Sequence, residues 1–307
     1  MNNSSIENSN EDNKKSSSRR RRRYVSSEEK LVYYPYMMIF NSTALYLIAH
    51  IFVFFVFEFI SAFMASEQGI PMKFYYHRIY TDIPFDIWTS GAIAITFLSP
   101  PIVCIFLVIL AGYGYYLAEH SKYPFRLAFL WLMIVGFNVF YSNLIYTFFS
   151  YKGMALMFEW VHAVRLVYIP LMMFGFVANV VLGMFVVNPF LKLSPSKKID
   201  ANLAPKKFVV LIMLIPYVIG SLVSMLIYLP YVGLSDILMS VGVGITALSA
   251  VAFAKPVKNM KFIKNIKTNS ISYTIICLLL VSIIGAIYFS HVGISLTPSD
   301  DQVGYTR

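Results

Sequence analysis

Seven apolar runs, each long enough to cross a bilayer, divide this chain, and no water-soluble fold has room for them. A helix needs about 20 predominantly apolar residues to span the hydrocarbon. The runs are Met37–Met64, Thr89–Leu117, Arg126–Phe149, Val167–Phe190, Lys207–Leu229, Ser235–Ala254 and Ser272–Ser290. In lipid every backbone N–H and C=O must pair inside its own segment or within a closed barrel. Barrel strands alternate polar and apolar residues over segments of about ten positions. These runs do not alternate, so the expected fold is all-α, a polytopic bundle of about seven transmembrane helices.

Charge supports the same conclusion. Only 13% of the residues are charged, against about 25% in a soluble domain, and they crowd towards the N-terminus. Residues 1–36 form a polar, basic cytoplasmic tail expected to be disordered. Residues 37–290 hold the bundle, and residues 291–307 a short outer tail. With the N-terminus inside, 20 Lys and Arg fall on the inner connections and 5 on the outer ones. That bias predicts an N-in, C-out orientation. No cleavable signal peptide is expected, because the first apolar run comes too late and is too long.

The arginine run Arg19 to Arg23 offers a contact for anionic lipid as well as a retention signal. Nucleic-acid binding is not expected, since no aromatic or groove-reading context surrounds the basic residues. Cys104 and Cys277 both fall within spans, where they read as small buried hydrophobes with no disulfide or zinc pattern. No cofactor and no metal is implied.

Small residues line the sixth run at Gly242, Thr246, Ala250 and Ala254, a face along which helices approach closely. Gly242-Val-Gly244-Ile-Thr-Ala247 matches a dinucleotide fingerprint only formally, because no strand precedes it. Prolines interrupt two spans, at Pro100 and Pro101 in the second and Pro216 in the fifth. Each removes a helix hydrogen bond and leaves a carbonyl in need of a partner. Broken helices at matching places in two inverted triplets point to transporter sites.

Polar groups inside spans are costly and normally face the bundle interior. His50, Asn138 and Asn179 lie close to the middle of the first, third and fourth runs. They read either as helix-to-helix glue or as a midplane binding point. Glu58 lies about 12 Å beyond His50 at 1.5 Å per residue, towards the outer face. Glu159, His162 and Arg165 recur every three residues, which puts them on one helical side. That stretch reads as an interfacial amphipathic segment, or as an outer polar pocket in which Glu58 pairs with His162 or Arg165.

Catalytic motifs fail. There is no phosphate-binding glycine loop and no His-Glu-x-x-His. Gly233-Leu-Ser235-Asp236, with His291 as a base, is similar to the nucleophile of rhomboid proteases, but a serine opening the sixth helix suits N-capping.

From Phe97 to Lys192 the chain resembles a group of uncharacterised bacterial multi-pass inner-membrane proteins. The carriers are Phe97-Leu-Ser-Pro-Pro101, Phe129-Leu-Trp131, Gly136-Phe-Asn-Val-Phe140, Trp160 and Tyr168-Ile-Pro170. That group has a histidine before Gly-Phe-Asn and a glycine four residues after its asparagine, where this chain has Val135 and Ser142. The resemblance implies a bacterial cytoplasmic membrane, draws attention to Asn138, and brings no activity. The sequence reading is therefore an integral component of a membrane process or complex, without catalysis of its own. A protein partner or homo-oligomer is compatible with that reading. The alternative is a small-solute transporter or channel-like permease with a midplane site near Pro100, Asn138, Asn179 and Pro216.

Overall fold

A computed structural model describes residues 4–118, 123–149, 154–160, 165–193, 205–229, 232–255 and 273–296. Seven helices among them are long and apolar enough to cross a membrane, so the chain reads as an integral, multi-pass membrane protein. The first span is Tyr36–Glu67, the C-terminal part of α1 (Ser4–Glu67). The second to fourth are α2 (Ser90–Leu117), α3 (Tyr123–Phe149) and α5 (Tyr168–Lys192), with the short α4 (Met154–Trp160) between the last two. The fifth is α6 (Pro205–Tyr228), followed by α7 (Leu234–Phe253) and α8 (Tyr273–His291). Each span lies within a few residues of the apolar run that predicts it.

Two features depart from the sequence expectations. The backbone of α1 is helical from Ser4, through the segment whose composition predicts disorder; no Gly or Pro interrupts Ser4 to Tyr34. Cys104 is buried as expected, whereas Cys277 is exposed on α8.

A small sheet caps one end of the bundle. The strands β1 (Met72–Tyr75) and β2 (Arg78–Tyr80) form a hairpin, and β3 (Ile294–Leu296) pairs antiparallel with β1 in the order β2-β1-β3. The first connection and the segment after α8 therefore sit at the same end of the molecule. Gly69, at φ 79°, makes the turn from α1 into this cap, a conformation that penalises any Cβ. The cap is anchored by apolar burial. Met72 and Phe74 point inward, with the Phe74 ring 5.2 Å from Phe55 and 5.8 Å from Phe59 of α1. The Tyr76 N–H donates to the Phe289 carbonyl of α8 at 3.1 Å, pinning the hairpin turn.

Within the bundle α1 is central. It packs on α2, α3, α6 and α8, while α5 lies between α3 and α7. The two proline-broken helices, α2 and α6, thus lie against α1 rather than forming a main contact with each other. A polar site shared between them, expected from their matching positions, has α1 in its place.

Candidate functional site

The α1–α6 seam carries a ladder of polar side chains. It begins at Pro216, whose ring nitrogen has no hydrogen to offer the Ile212 carbonyl four residues earlier. A π-helical turn at Val210–Leu214 absorbs the break. The Ser42 hydroxyl donates to that Ile212 carbonyl at 2.5 Å, and Trp131 Nε1–H donates to Ser42 Oγ at 2.9 Å. One turn further along α1, Tyr46 Oη meets Ser221 Oγ at 2.9 Å. The two helices can close here because the Tyr46 ring lies against Gly220, where any Cβ would collide with it. His50 then meets the Tyr228 hydroxyl through Nε2 at 2.8 Å. Ser42, Tyr46, His50 and Tyr228 are all buried, as is Ser224, whose hydroxyl has no partner among the described residues.

Beyond Tyr228 the ladder reaches the cap. The Tyr76 ring is 5.7 Å from that of Tyr228, and the His77 ring stacks on Tyr228 at 5.4 Å. Burial pushes the Tyr76 phenol above its ordinary pKa, so it stays a neutral donor. Asp236, at the start of α7, lies within electrostatic reach of Tyr76, Tyr228 and Glu58. Its Oδ2 accepts from the Gly233 N–H at 2.7 Å, so Asp236 contributes to the cap at the start of α7.

The predicted polar residues separate into two groups. Asn138 and Asn179 meet on α7, and His50 belongs to the α1–α6 ladder instead. The Thr246 hydroxyl lies 3.2 Å from both the Asn179 and Gly242 carbonyl oxygens and accepts from the Asn138 amide at 3.3 Å. Ser249 Oγ donates to the Val180 carbonyl at 2.6 Å. Gly242 faces Ser142 and Asn138, and Gly183 of α5 faces the Thr246 carbonyl. Ala250 and Ala254 are buried on the same side of α7. Both side-chain polar atoms of Asn179 lack partners among the described residues, although the residue is fully buried.

Pro100, Pro101 and Pro216 are all buried. Glu58 is half-buried and lies within electrostatic reach of Asp236, another acid. His162 and the side chains of Glu159, Arg165 and Ser235 lie outside the described residues, and with them the expected outer pocket. Among the described residues no group of three or more His, Cys, Asp and Glu is placed to hold a metal ion.

Sequence reasoning missed Tyr228, Tyr76 and Asp236. Their one legible signal is polarity next to a span end, which is also how interfacial tyrosines read. Compared with known proteins, the chain matches no family model, no curated protein and no solved structure.

Proposed function

We propose that this integral membrane protein is a permease without catalytic chemistry, admitting a small polar solute along the α1–α6 seam. It lies N-in and C-out in a bacterial cytoplasmic membrane. The observation that carries this reading is the ladder running from Glu58 and Asp236, past His50–Tyr228 and Tyr46–Ser221, to the Ile212 carbonyl freed by Pro216. Ionisable groups inside a bundle most often mark solute, ion or proton paths. A broken helix is tolerated where its free backbone is buried in protein or lines such a path. The α3–α5–α7 interlock on Thr246 supplies a fixed body beside which α1 and α6 can move.

Orientation draws support from the Lys and Arg bias, and the odd number of spans from the β1–β3 pairing. That pairing needs the first connection and the C-terminal segment on one side, as an odd number of spans provides. Alkaline phosphatase fused after Arg307 is expected to be active, and an inactive but intact fusion would reverse the orientation.

The path itself is tested by substituted-cysteine labelling. In a Cys104→Ala, Cys277→Ala background, Ser224→Cys should react with an impermeant methanethiosulfonate added to the outer face. Its rate should be slower than that of the exposed position Glu67→Cys. If Glu67→Cys reacts and Ser224→Cys stays silent, the seam is sealed and the protein is a passive component of a larger assembly.

A further inference from the structure

We propose that Arg126, where α2 ends and α3 begins, holds the phosphate group of one anionic phospholipid, at a site separate from the arginine run of the tail. The site goes beyond the path proposed above and does not depend on it.

The first observation is a buried cation that lacks a counter-charge among the described residues. Arg126 is 6% exposed, and its Nε–H has no hydrogen-bond partner among them. It stands at the end of the bundle away from the sheet, since Trp131, five residues further along α3, bonds to Ser42 near the start of the first span. The acids whose side chains are described, Glu58, Glu67, Asp82 and Asp236, lie towards the sheet instead. The guanidinium carbon is 4.8 Å from the centre of the Tyr115 ring in the last turn of α2. That contact holds the group in place, but a ring carries no net charge to balance it. A buried charge left in this state is costly.

The second observation is that the backbone does not supply the missing charge. The carbonyl end of α2 lies beside Arg126 and carries roughly half a negative charge. Arg126 is also in the first turn of α3, which contains no acid and carries roughly half a positive charge. The two ends nearly cancel, so the full charge of the arginine remains. Lys192 in the last turn of α5, and Lys206 and Lys207 at the start of α6, are exposed at the same end of the bundle. They deepen the attraction for an anion and give Arg126 no partner.

The third observation bears on the kind of anion. A guanidinium matches a phosphate group in fork geometry, through two parallel N–H bonds. Arg126 is the third residue of its span, which starts at Pro124, and so lies at headgroup depth. Large apolar side chains flank it on the lipid side: Tyr113, Tyr116 and Leu117 of α2 and Phe125 of α3 are all exposed. Free phosphate gains nothing from that surface, whereas a phospholipid lays its acyl chains along it. Basic pockets between helices at a span end suit such headgroups.

The test uses the purified, delipidated full chain in an uncharged maltoside detergent, with thermal unfolding followed by tryptophan fluorescence. Phosphatidylglycerol, phosphatidylcholine and inorganic phosphate are titrated separately at constant ionic strength. Phosphatidylglycerol should raise the melting temperature saturably, and the other two should act weakly or not at all. Arg126→Gln should weaken the apparent affinity about tenfold or more, as loss of charge-assisted hydrogen bonds does. Arg126→Lys keeps the charge without the fork and should fall between the two. Lys192→Gln should respond nearly as the parent does, and the tail arginines give every variant the same background.

Without lipid, Arg126→Gln should melt no lower than the unsubstituted protein, because it removes an unbalanced charge. Glu119, outside the described residues, is the rival counter-charge. If Glu119→Gln and Arg126→Gln lower the lipid-free melting temperature alike, the arginine is paired within the chain and the proposal fails. An equal response to inorganic phosphate overturns the lipid as the source. A loss in Lys192→Gln as large as in Arg126→Gln reduces the site to a diffuse basic surface and overturns it too.

Discussion

Gly183→Ala should destabilise the folded protein by about 2 kcal/mol and loosen α5 from α7. A Cβ built at Gly183 collides with the Thr246 carbonyl oxygen, and lies 2.7 Å from Ser249 Cβ and 2.8 Å from Ser249 Oγ. A side-chain tip can swing aside, but a helix carbonyl cannot move without its helix. Overpacking of this kind costs about 1–3 kcal/mol. The intrinsic helix gain from Gly to Ala returns only about 0.5–1 kcal/mol. The damage also propagates, because Ser249 Oγ donates to Val180 and Thr246 bridges Asn138 to the Asn179 carbonyl. Pushing the helices apart lengthens all of these bonds together. Gly285 of α8 is the control, since nothing lies within 4 Å of its Cβ position, and Gly285→Ala should be neutral or slightly stabilising. The two variants, compared by thermal unfolding in one detergent, should move in opposite directions. Equal melting temperatures would mean that α5 and α7 do not approach as described.

The spans were legible because each is a local property. Hydropathy over about twenty residues is set by the segment itself, and the run Met37–Met64 differs from the helix Tyr36–Glu67 by only a few residues. The small-residue face at Gly242, Thr246, Ala250 and Ala254 was legible for the same reason, since its spacing of four is written in one helix. The ladder was not legible. His50 and Tyr228 are 178 residues apart, and Ser42 and Ile212 170 apart. No periodicity within either partner encodes such a pairing. A midplane layer of His50, Asn138 and Asn179 assumed that equal depth means contact. Rotation about each helix axis decides contact, and it turns the side chains of His50 to α6 and of Asn138 to α7. The cap was hidden for another reason. Its strands have four, three and three residues, below the length at which alternation is distinctive, and β1 pairs with a strand beyond the last span.

Ser42→Ala tests the proline break directly, and its cost should be about 2–4 kcal/mol, the largest for any single polar substitution in the bundle. Two groups lose a hydrogen-bond partner in one step. The Ile212 carbonyl loses its donor, and the Trp131 indole N–H loses its acceptor. Ser42, Trp131 and Ile212 are each fully buried, so no solvent replaces the lost bonds. Each buried polar group left unsatisfied costs about 1–3 kcal/mol, and the lower half of that range is the better guide within a bilayer, where measured side-chain bonds are modest. The cause can be separated from simple loss of packing. Trp131→Phe in the Ser42→Ala background removes the stranded indole N–H while keeping a ring, so the double variant should recover part of the loss. Pro216→Ala offers the second half of the cycle. It restores an N–H four residues after Ile212, and should make Ser42→Ala milder than it is beside proline. If Ser42→Ala costs the same in the Pro216→Ala background as in the unsubstituted chain, the serine does not serve the carbonyl that the proline frees. The ladder would then lose its inner terminus.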